Sequence, residues 1–251
     1  MYIPRRNKED NPKIVIFSGA GLDAPSGIRT FRDSNGLWNE HKIEDVCTQS
    51  TWKKNFELVH DFYNQRRMEL ANVKPNHAHK VIKEICDLYP GDVINVTMNV
   101  SDLQEMAGVE CLHVHGELTK MECEACGDKW EIGYEAWNTE TDRCPKCNSK
   151  KGVRPSIVFF GGQAPMYSYL WRAMEHTMNP DSIVIIIGTQ GNVVSVEDNL
   201  IGTPCKKILC NMEASADINV KKCKFDKVYY ESIETAIDKI KEDIKEWNEG
   251  N

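Results

Sequence analysis

The chain has 251 residues, 41% of them hydrophobic and 27% charged, with a formal net charge of −7 and a pI near 5.6. That length supports a real hydrophobic core, in one large domain or one large and one small, and the composition excludes disordered and fibrous classes. The acidic balance disfavours nucleic-acid binding. No run reaches the ~18 apolar residues that would cross a membrane, and no apolar signal region follows the basic N-terminus, so a cytoplasmic location is expected.

In chain order, residues 13–18 form a β-branched run that ends in Gly19-Ala20-Gly21, the pattern of a buried parallel strand entering a tight turn. Residues 51–70 predict a helix with Trp52, Phe56, Val59 and Tyr63 on one stripe. Beyond Pro75, residues 76–88 predict a second helix with Ala78, Ile82, Ile85 and Cys86 inward. Strands are expected over 92–97 and 112–115. From 118 to about 154 apolar runs vanish and Cys, Gly, Lys and Asp rise, which marks an inserted module. Residues 155–160 resume the strand pattern and end in Gly161-Gly162; residues 182–187 form the clearest central strand and end in Gly188-Thr189-Gln190-Gly191. Two further strands are expected near 207–211 and 227–230. Ile233, Ile237, Ile240, Ile244 and Trp247 then mark a core-docking amphipathic helix.

Strands alternating with helices imply an α/β fold with a doubly wound parallel sheet. Ligands bind such sheets beyond the carboxyl ends of the strands, so Gly19–Gly21, residues 97–99, His115, Gly161 and Gly188–Gly191 are expected to converge on one crevice. Gly19 to Ala24 fits G-x-G-x-x-A, a turn that lets the backbone approach a pyrophosphate. The ribose-binding acid that usually follows is missing, and Asp23 is unfavourable beside phosphates unless it points away or caps the helix.

Cys123-x2-Cys126 and Cys144-x2-Cys147 have the spacing of a closed tetrahedral zinc site, which is structural because no coordination position stays open. The other six cysteines, Cys47, Cys86, Cys111, Cys205, Cys210 and Cys223, read as free thiols of a reducing compartment. His113 and His115 are both candidates for a general base, and the residues alone do not choose between them. Tyr63 and Arg66 share a helix face and offer a phenol and a guanidinium to a carboxylate; spacing alone favours a surface salt bridge or a capping contact.

Taken together, these segments resemble the sirtuin family. The likeness runs through Gly19 to Arg32, Thr97-Met98-Asn99-Val100-Ser101, His113-Val114-His115-Gly116-Glu117-Leu118, the two cysteine pairs, Val158-Phe159-Phe160-Gly161, Gly188-Thr189 and Asn211-Met212-Glu213. Gly36-Leu37-Trp38 and the segment from Phe62 to Arg67 resemble the bacterial-type deacylases, a subgroup that includes desuccinylases and demalonylases.

The resemblance implies a Rossmann-like NAD-binding domain over 1–117 and 155–251. A zinc-binding module is inserted at 118–154, and the helical part of the small domain covers about 39–75. It implies an NAD-dependent protein lysine deacylase acting on acyl-lysine proteins or peptides. His115 would be the general base, with Asn99 beside it. Cofactor contacts would come from Gly19, Ala20, Gly21, Phe31, Arg32, Met98, Asn99, Ser101, Gly188, Thr189, Gln190, Asn211 and Glu213. Tyr63 and Arg66 would hold a succinyl or malonyl carboxylate, and Val158, Phe159, Phe160 and Gly161 would pair with the substrate peptide.

The departures from the family pattern cluster in the cofactor crevice. Met98 stands where glutamine is usual, Ser101 where aspartate would meet the nicotinamide amide, Asp23 for a small serine, Gln104 for histidine and Gln190 for serine. They leave two other readings open: an impaired protein that binds NAD, ADP-ribose or acyl-lysine, and an NAD hydrolase or ADP-ribosyltransferase.

Overall fold

Six parallel strands organise the larger part of the molecule. The computed structural model describes residues 13–29 and 41–249. In chain order the elements are β1 (Ile14–Ser18), α1 (Ala20–Asp23), α2 (Ile43–Val46), α3 (Phe56–Leu70), α4 (His77–Leu88), β2 (Val93–Thr97), α5 (Leu103–Met106) and β3 (Leu112–His113). Then come β4 (Gly116–Cys123), β5 (Lys129–Glu131), β6 (Val153–Ile157), α6 (Tyr167–Met174), β7 (Ile183–Ile187), β8 (Lys206–Asn211), α7 (Val220–Cys223), β9 (Lys227–Tyr230) and α8 (Ile233–Glu249).

The large sheet has the order β3-β2-β1-β7-β8-β9, every pair parallel. Chain order reverses between β1 and β7, which is where an open α/β sheet presents its ligand crevice. Alternate residues of the central strands feed two separate cores, which explains their continuous apolar runs. Ile14, Ile16, Ile183, Ile185 and Ile187 pack with α4 and α8, while Val15, Phe17, Val184 and Ile186 pack with Val96 and α6. Helix α4 starts on a capping box in which Asn76 and His79 satisfy each other's backbone amides. Its inward face is Ala78, Val81, Ile82 and Ile85, all buried, with Cys86 at the margin.

A second sheet of three antiparallel strands, β5-β4-β6, covers residues 116–157. This corrects the strand expected at 155–160 in the parallel sheet: it occupies Val153–Ile157 and pairs with β4, Gly116 opposite Ile157 and Cys123 opposite Val153. Pro155 gives the reason. It has no N–H to donate to a ladder, so it suits the free side of an edge strand and not the middle of a parallel sheet. β4 escaped sequence analysis because its apolar residues are few and broken by charge: Leu118, Met121 and Cys123 are buried, with Lys120 and Glu122 among them. Met121, Cys123, Trp137, Cys144 and Val153 form its core.

Helix α3 begins later than predicted, at Phe56; Trp52 lies in the preceding turns yet is fully buried against Phe159. Arg67 on α3 is also fully buried. Its guanidinium donates to the carbonyls of Glu135 (3.0 Å) and Leu118 (3.4 Å) and to the side chain of Asn64 (2.5 Å), tying the helix to the small sheet.

Candidate active site

The glycine turn after β1 is built by close backbone contact. Gly19 donates to the Ile187 carbonyl and Gly21 to the Gly188 carbonyl, each at 2.9 Å. A Cβ on Gly21 would lie 2.5 Å from the Gly188 Cα, and one on Gly19 would lie 2.8 Å from the Gly188 oxygen. Gly188 itself has a φ of 64°, which favours glycine. The strand ends of β1 and β7 therefore touch directly, and Ala20 follows in the same turn. Thr189 and Asn211 lock the far side: the Asn211 amide donates to the Thr189 carbonyl at 2.8 Å and its oxygen accepts the Thr189 N–H at 3.0 Å. The Gln190 carbonyl accepts from Ser215 at 2.6 Å, and Glu213 is exposed beyond β8.

On the near side, Asn99 is buried and donates its side-chain amide to the Gly19 carbonyl at 3.0 Å. Its own N–H is held by Thr97 Oγ1 at 3.0 Å. Met98 packs against the apolar cluster of the β1–β7 core and presents no polar group. Gln104 donates to the Ser18 hydroxyl at 3.3 Å, and Ser18 in turn donates to Thr97 Oγ1 at 2.9 Å.

Asp23 does point away from the turn. Its buried carboxylate accepts from Ser101 Oγ at 2.6 Å and from His79 Nε2 at 3.1 Å. His79 Nδ1 accepts the Asn76 N–H at 3.2 Å, so Nε2 carries the ring proton of a neutral imidazole. Sequence analysis treated Asp23 as a liability; its partners lie 56 and 78 residues away, out of reach of any local pattern.

The two histidines separate clearly. His113 ends β3, is buried, and donates from Nδ1 to the Asn99 carbonyl at 2.8 Å, with Nε2 2.9 Å from Glu105. Burial opposes its charge, but the Glu105 carboxylate overrides this and raises its pKa. His115 lies past the end of the strand. Its Nδ1 donates to the Met98 carbonyl at 3.2 Å, which leaves Nε2 as an acceptor; there it takes the Tyr167 hydroxyl at 2.8 Å. Burial lowers the His115 pKa, so the ring is neutral near pH 7. Tyr167, from α6, was missed by sequence analysis, and nothing near it in the chain signals its role.

Tyr63 and Arg66 lie on one face of α3, both buried. The Tyr63 hydroxyl is hydrogen-bonded to the Cys47 thiol, and its ring stacks on Phe159 at 5.9 Å. Arg66 lies 4.9 Å from the Phe62 ring centroid and 3.2 Å from Glu69 Oε2, while Glu69 Oε1 meets Arg29 at 3.1 Å. Beyond β6, Val158 donates to the His115 carbonyl at 2.8 Å. Phe160 bonds the Cys47 carbonyl and the Gln49 N–H through its own backbone, and Gly161 follows with a φ of 75°. Phe31, Arg32 and the segment Gly36-Leu37-Trp38 lie outside the described residues.

The four cysteines converge as their spacing predicts. Cys123 and Cys147 sulfurs are 3.6 Å apart, as are those of Cys126 and Cys144, and all four lie within 4.8 Å of one another. A tetrahedral ion with bonds of about 2.3 Å sets its sulfurs roughly 3.8 Å apart. The donor set therefore fits one structural zinc ion.

Comparison with known proteins gives a consistent picture. The Sir2 family profile matches residues 19–195. An NAD-dependent protein deacylase of Campylobacter jejuni is 42% identical over 240 residues, covering 95% of this chain and 98% of that protein. One from Helicobacter hepaticus is 38% identical, covering 94% and 98%. A solved Sir2 homologue in complex with NAD superposes with a TM-score of 0.78 at 29% identity, covering 93% of this chain and 90% of that one. With the profile spanning most of the chain and relatives aligned along nearly its whole length, the protein belongs to the Sir2 family.

Proposed function

We propose that the protein is an NAD-dependent protein lysine deacylase that removes acetyl groups and also succinyl and malonyl groups. The observation that carries this reading is the His115 imidazole: neutral, anchored through Nδ1 on the Met98 carbonyl, and offering Nε2 beside the glycine crevice. That is the state required of a general base working near neutral pH. Relatives along the full chain that are named NAD-dependent protein deacylases support the same conclusion.

The residues present fit NAD. The Asp23 carboxylate is turned onto Ser101 and His79, which points its charge away from a pyrophosphate at the glycine turn. Gly19, Ala20, Gly21, Gly188, Thr189, Gln190, Asn211 and Glu213 would hold its adenosine and phosphate half. Met98, Asn99 and Ser101, with Phe31 and Arg32, would hold the nicotinamide riboside end. When bound, NAD would supply an electrophilic ribose carbon whose bond to nicotinamide breaks as the acyl oxygen attaches; with one water consumed, the products would be nicotinamide, free lysine and O-acyl-ADP-ribose. His115 Nε2, which Tyr167 holds in this structure, would take the proton of a ribose hydroxyl placed there instead. Asn99, fixed between Gly19 and Thr97, orients the reacting end. Cys123, Cys126, Cys144 and Cys147 would hold a zinc ion that braces the small sheet, whose β6 leads into residues 158–161, and that takes no part in the chemistry.

Tyr63 and Arg66 support the acidic-acyl reading because they bring a phenol and a guanidinium to one buried face. We divide the chain into a cofactor domain, 1–117 with 155–251, and a zinc module at 118–154. Four of the chain's ten cysteines make up the zinc-ligand set and the other six are free thiols, in keeping with a reducing cytoplasm. Met98 makes this a slower enzyme than one with an amide there. Incubation with NAD and acetyl-, succinyl- or malonyl-lysine peptides tests the reading. Nicotinamide and acyl-ADP-ribose are expected to appear together; intact NAD binding with no product from any peptide overturns it.

A further inference from the structure

Outside the four-cysteine site, Glu105, Cys111 and His113 bring a carboxylate oxygen, a thiol sulfur and an imidazole nitrogen within 4.8 Å of one another. The residues come from three local structures: α5, the extended segment after it, and the end of the edge strand β3. Cys111 and His113 are two residues apart on an extended backbone, so their side chains leave on the same side. Both are buried, whereas Glu105 is exposed and opens the cluster to solvent.

We propose that Glu105, Cys111 and His113 form a second, open metal site that takes a zinc-class divalent cation, with solvent in its fourth position. Three features carry this. The mixture of nitrogen, sulfur and oxygen donors is one that zinc, cobalt and their neighbours accept, and three protein ligands with an open position is a recurring arrangement for zinc. The His113 Nδ1–H is already committed to the Asn99 carbonyl at 2.8 Å, the outer hydrogen bond that orients a ligating imidazole and points Nε2 at the ion. In the metal-free state a proton shared between Nε2 and Glu105 Oε1, 2.9 Å apart, stands where the ion would sit.

The proposal does not rest on the deacylase reading, because the site is defined by its own ligands. It has a consequence for that reading, since His113 holds the Asn99 carbonyl: an ion that pulls on the ring acts on the segment bearing Asn99 and Ser101.

The test uses full-length protein carrying zinc at the four-cysteine site, titrated with Co²⁺ while the thiolate-to-cobalt charge-transfer band is followed. Released zinc is measured in parallel, so that exchange at the cysteine site is subtracted. The expected result is a band that saturates at one added equivalent, disappears in Cys111→Ser, and needs at least ~10-fold more Co²⁺ in Glu105→Gln. Far-UV circular dichroism checks that both variants fold. No exchange-corrected band in the wild type, or a band undiminished in a folded Cys111→Ser, overturns the proposal.

Discussion

Ser101 donates a 2.6 Å hydrogen bond to the buried carboxylate of Asp23. The family pattern has these two residue types the other way round, serine at 23 and aspartate at 101. The crevice has therefore kept a carboxylate–hydroxyl pair and exchanged its ends. With its proton committed to Asp23, the Ser101 oxygen is left as a polarised acceptor, suited to an amide N–H. Asp23→Ser and Ser101→Asp are each expected to slow nicotinamide release by about 10- to 100-fold, the first by losing the charge and the second by crowding two carboxylates. The double exchange is expected to recover most of the loss. A double variant as slow as the product of the single effects would show that the pair is not coupled.

Tyr167 occupies the acceptor nitrogen of His115. Tyr167→Phe is expected to retain turnover with a changed KM, because the hydroxyl holds the ring in the resting state and gives way to substrate. His115→Ala is expected to lose at least ~100-fold in kcat. Steady-state kinetics on one acetyl-lysine peptide separates the two.

Burial lowers the His115 pKa below its ordinary 6.5. The working form is the neutral ring, so kcat is expected to hold as pH falls to 6.5 and to drop only below it. A pH–rate profile that declines already between 8 and 7 on the acid side would contradict the assigned state.

Arg66 is matched by Glu69, which also pairs with Arg29. An acidic acyl group must compete with Glu69 for the guanidinium. Arg66→Met is expected to reduce desuccinylation far more than deacetylation, and Glu69→Gln to raise kcat/KM for succinyl-lysine by a few-fold, consistent with a partly screened ion pair. Equal changes for both acyl groups would count against the carboxylate role.

His60 is buried, donates to the Val153 carbonyl at 3.1 Å, and has its pKa lowered by burial to about 4. Its unfolded value is near 6.5, so the unfolded state binds more protons between those limits and stability falls as pH drops from about 6.5 to 4. The loss from this group is on the order of 3 kcal/mol at most. His60→Gln keeps the donor without the titration, and its thermal midpoint is expected to fall less over the same interval.

Elements and donor sets that repeat locally were legible in the sequence. The apolar runs of β1 and β7, the stripe of α4 and the spacing of the four cysteines each report on neighbours within a few residues. What was hidden depends on distant partners. β6 has a strand pattern, but its place against β4 is settled by Pro155 and by pairing with residues thirty or more positions away. Asp23 reads as a misplaced charge until Ser101 and His79 are beside it. Tyr167 carries no signal, because only the docking of α6 brings its hydroxyl to His115. Tyr63 and Arg66 were found together; the Cys47 thiol that engages Tyr63 comes from outside their helix, whereas Glu69, one turn beyond Arg66, is the local salt bridge that their spacing also suits.

The contact between Gly21 and Gly188 leaves no side chain to adjust. Most packing errors can be relieved by a rotamer change at some cost, but here backbone meets backbone. A methyl group at either position has to push β1 and β7 apart at the point where chain order reverses. Tolerance to substitution should therefore be lowest at two residues that bear no functional group, and a deep mutational scan would mark them as strongly as His115.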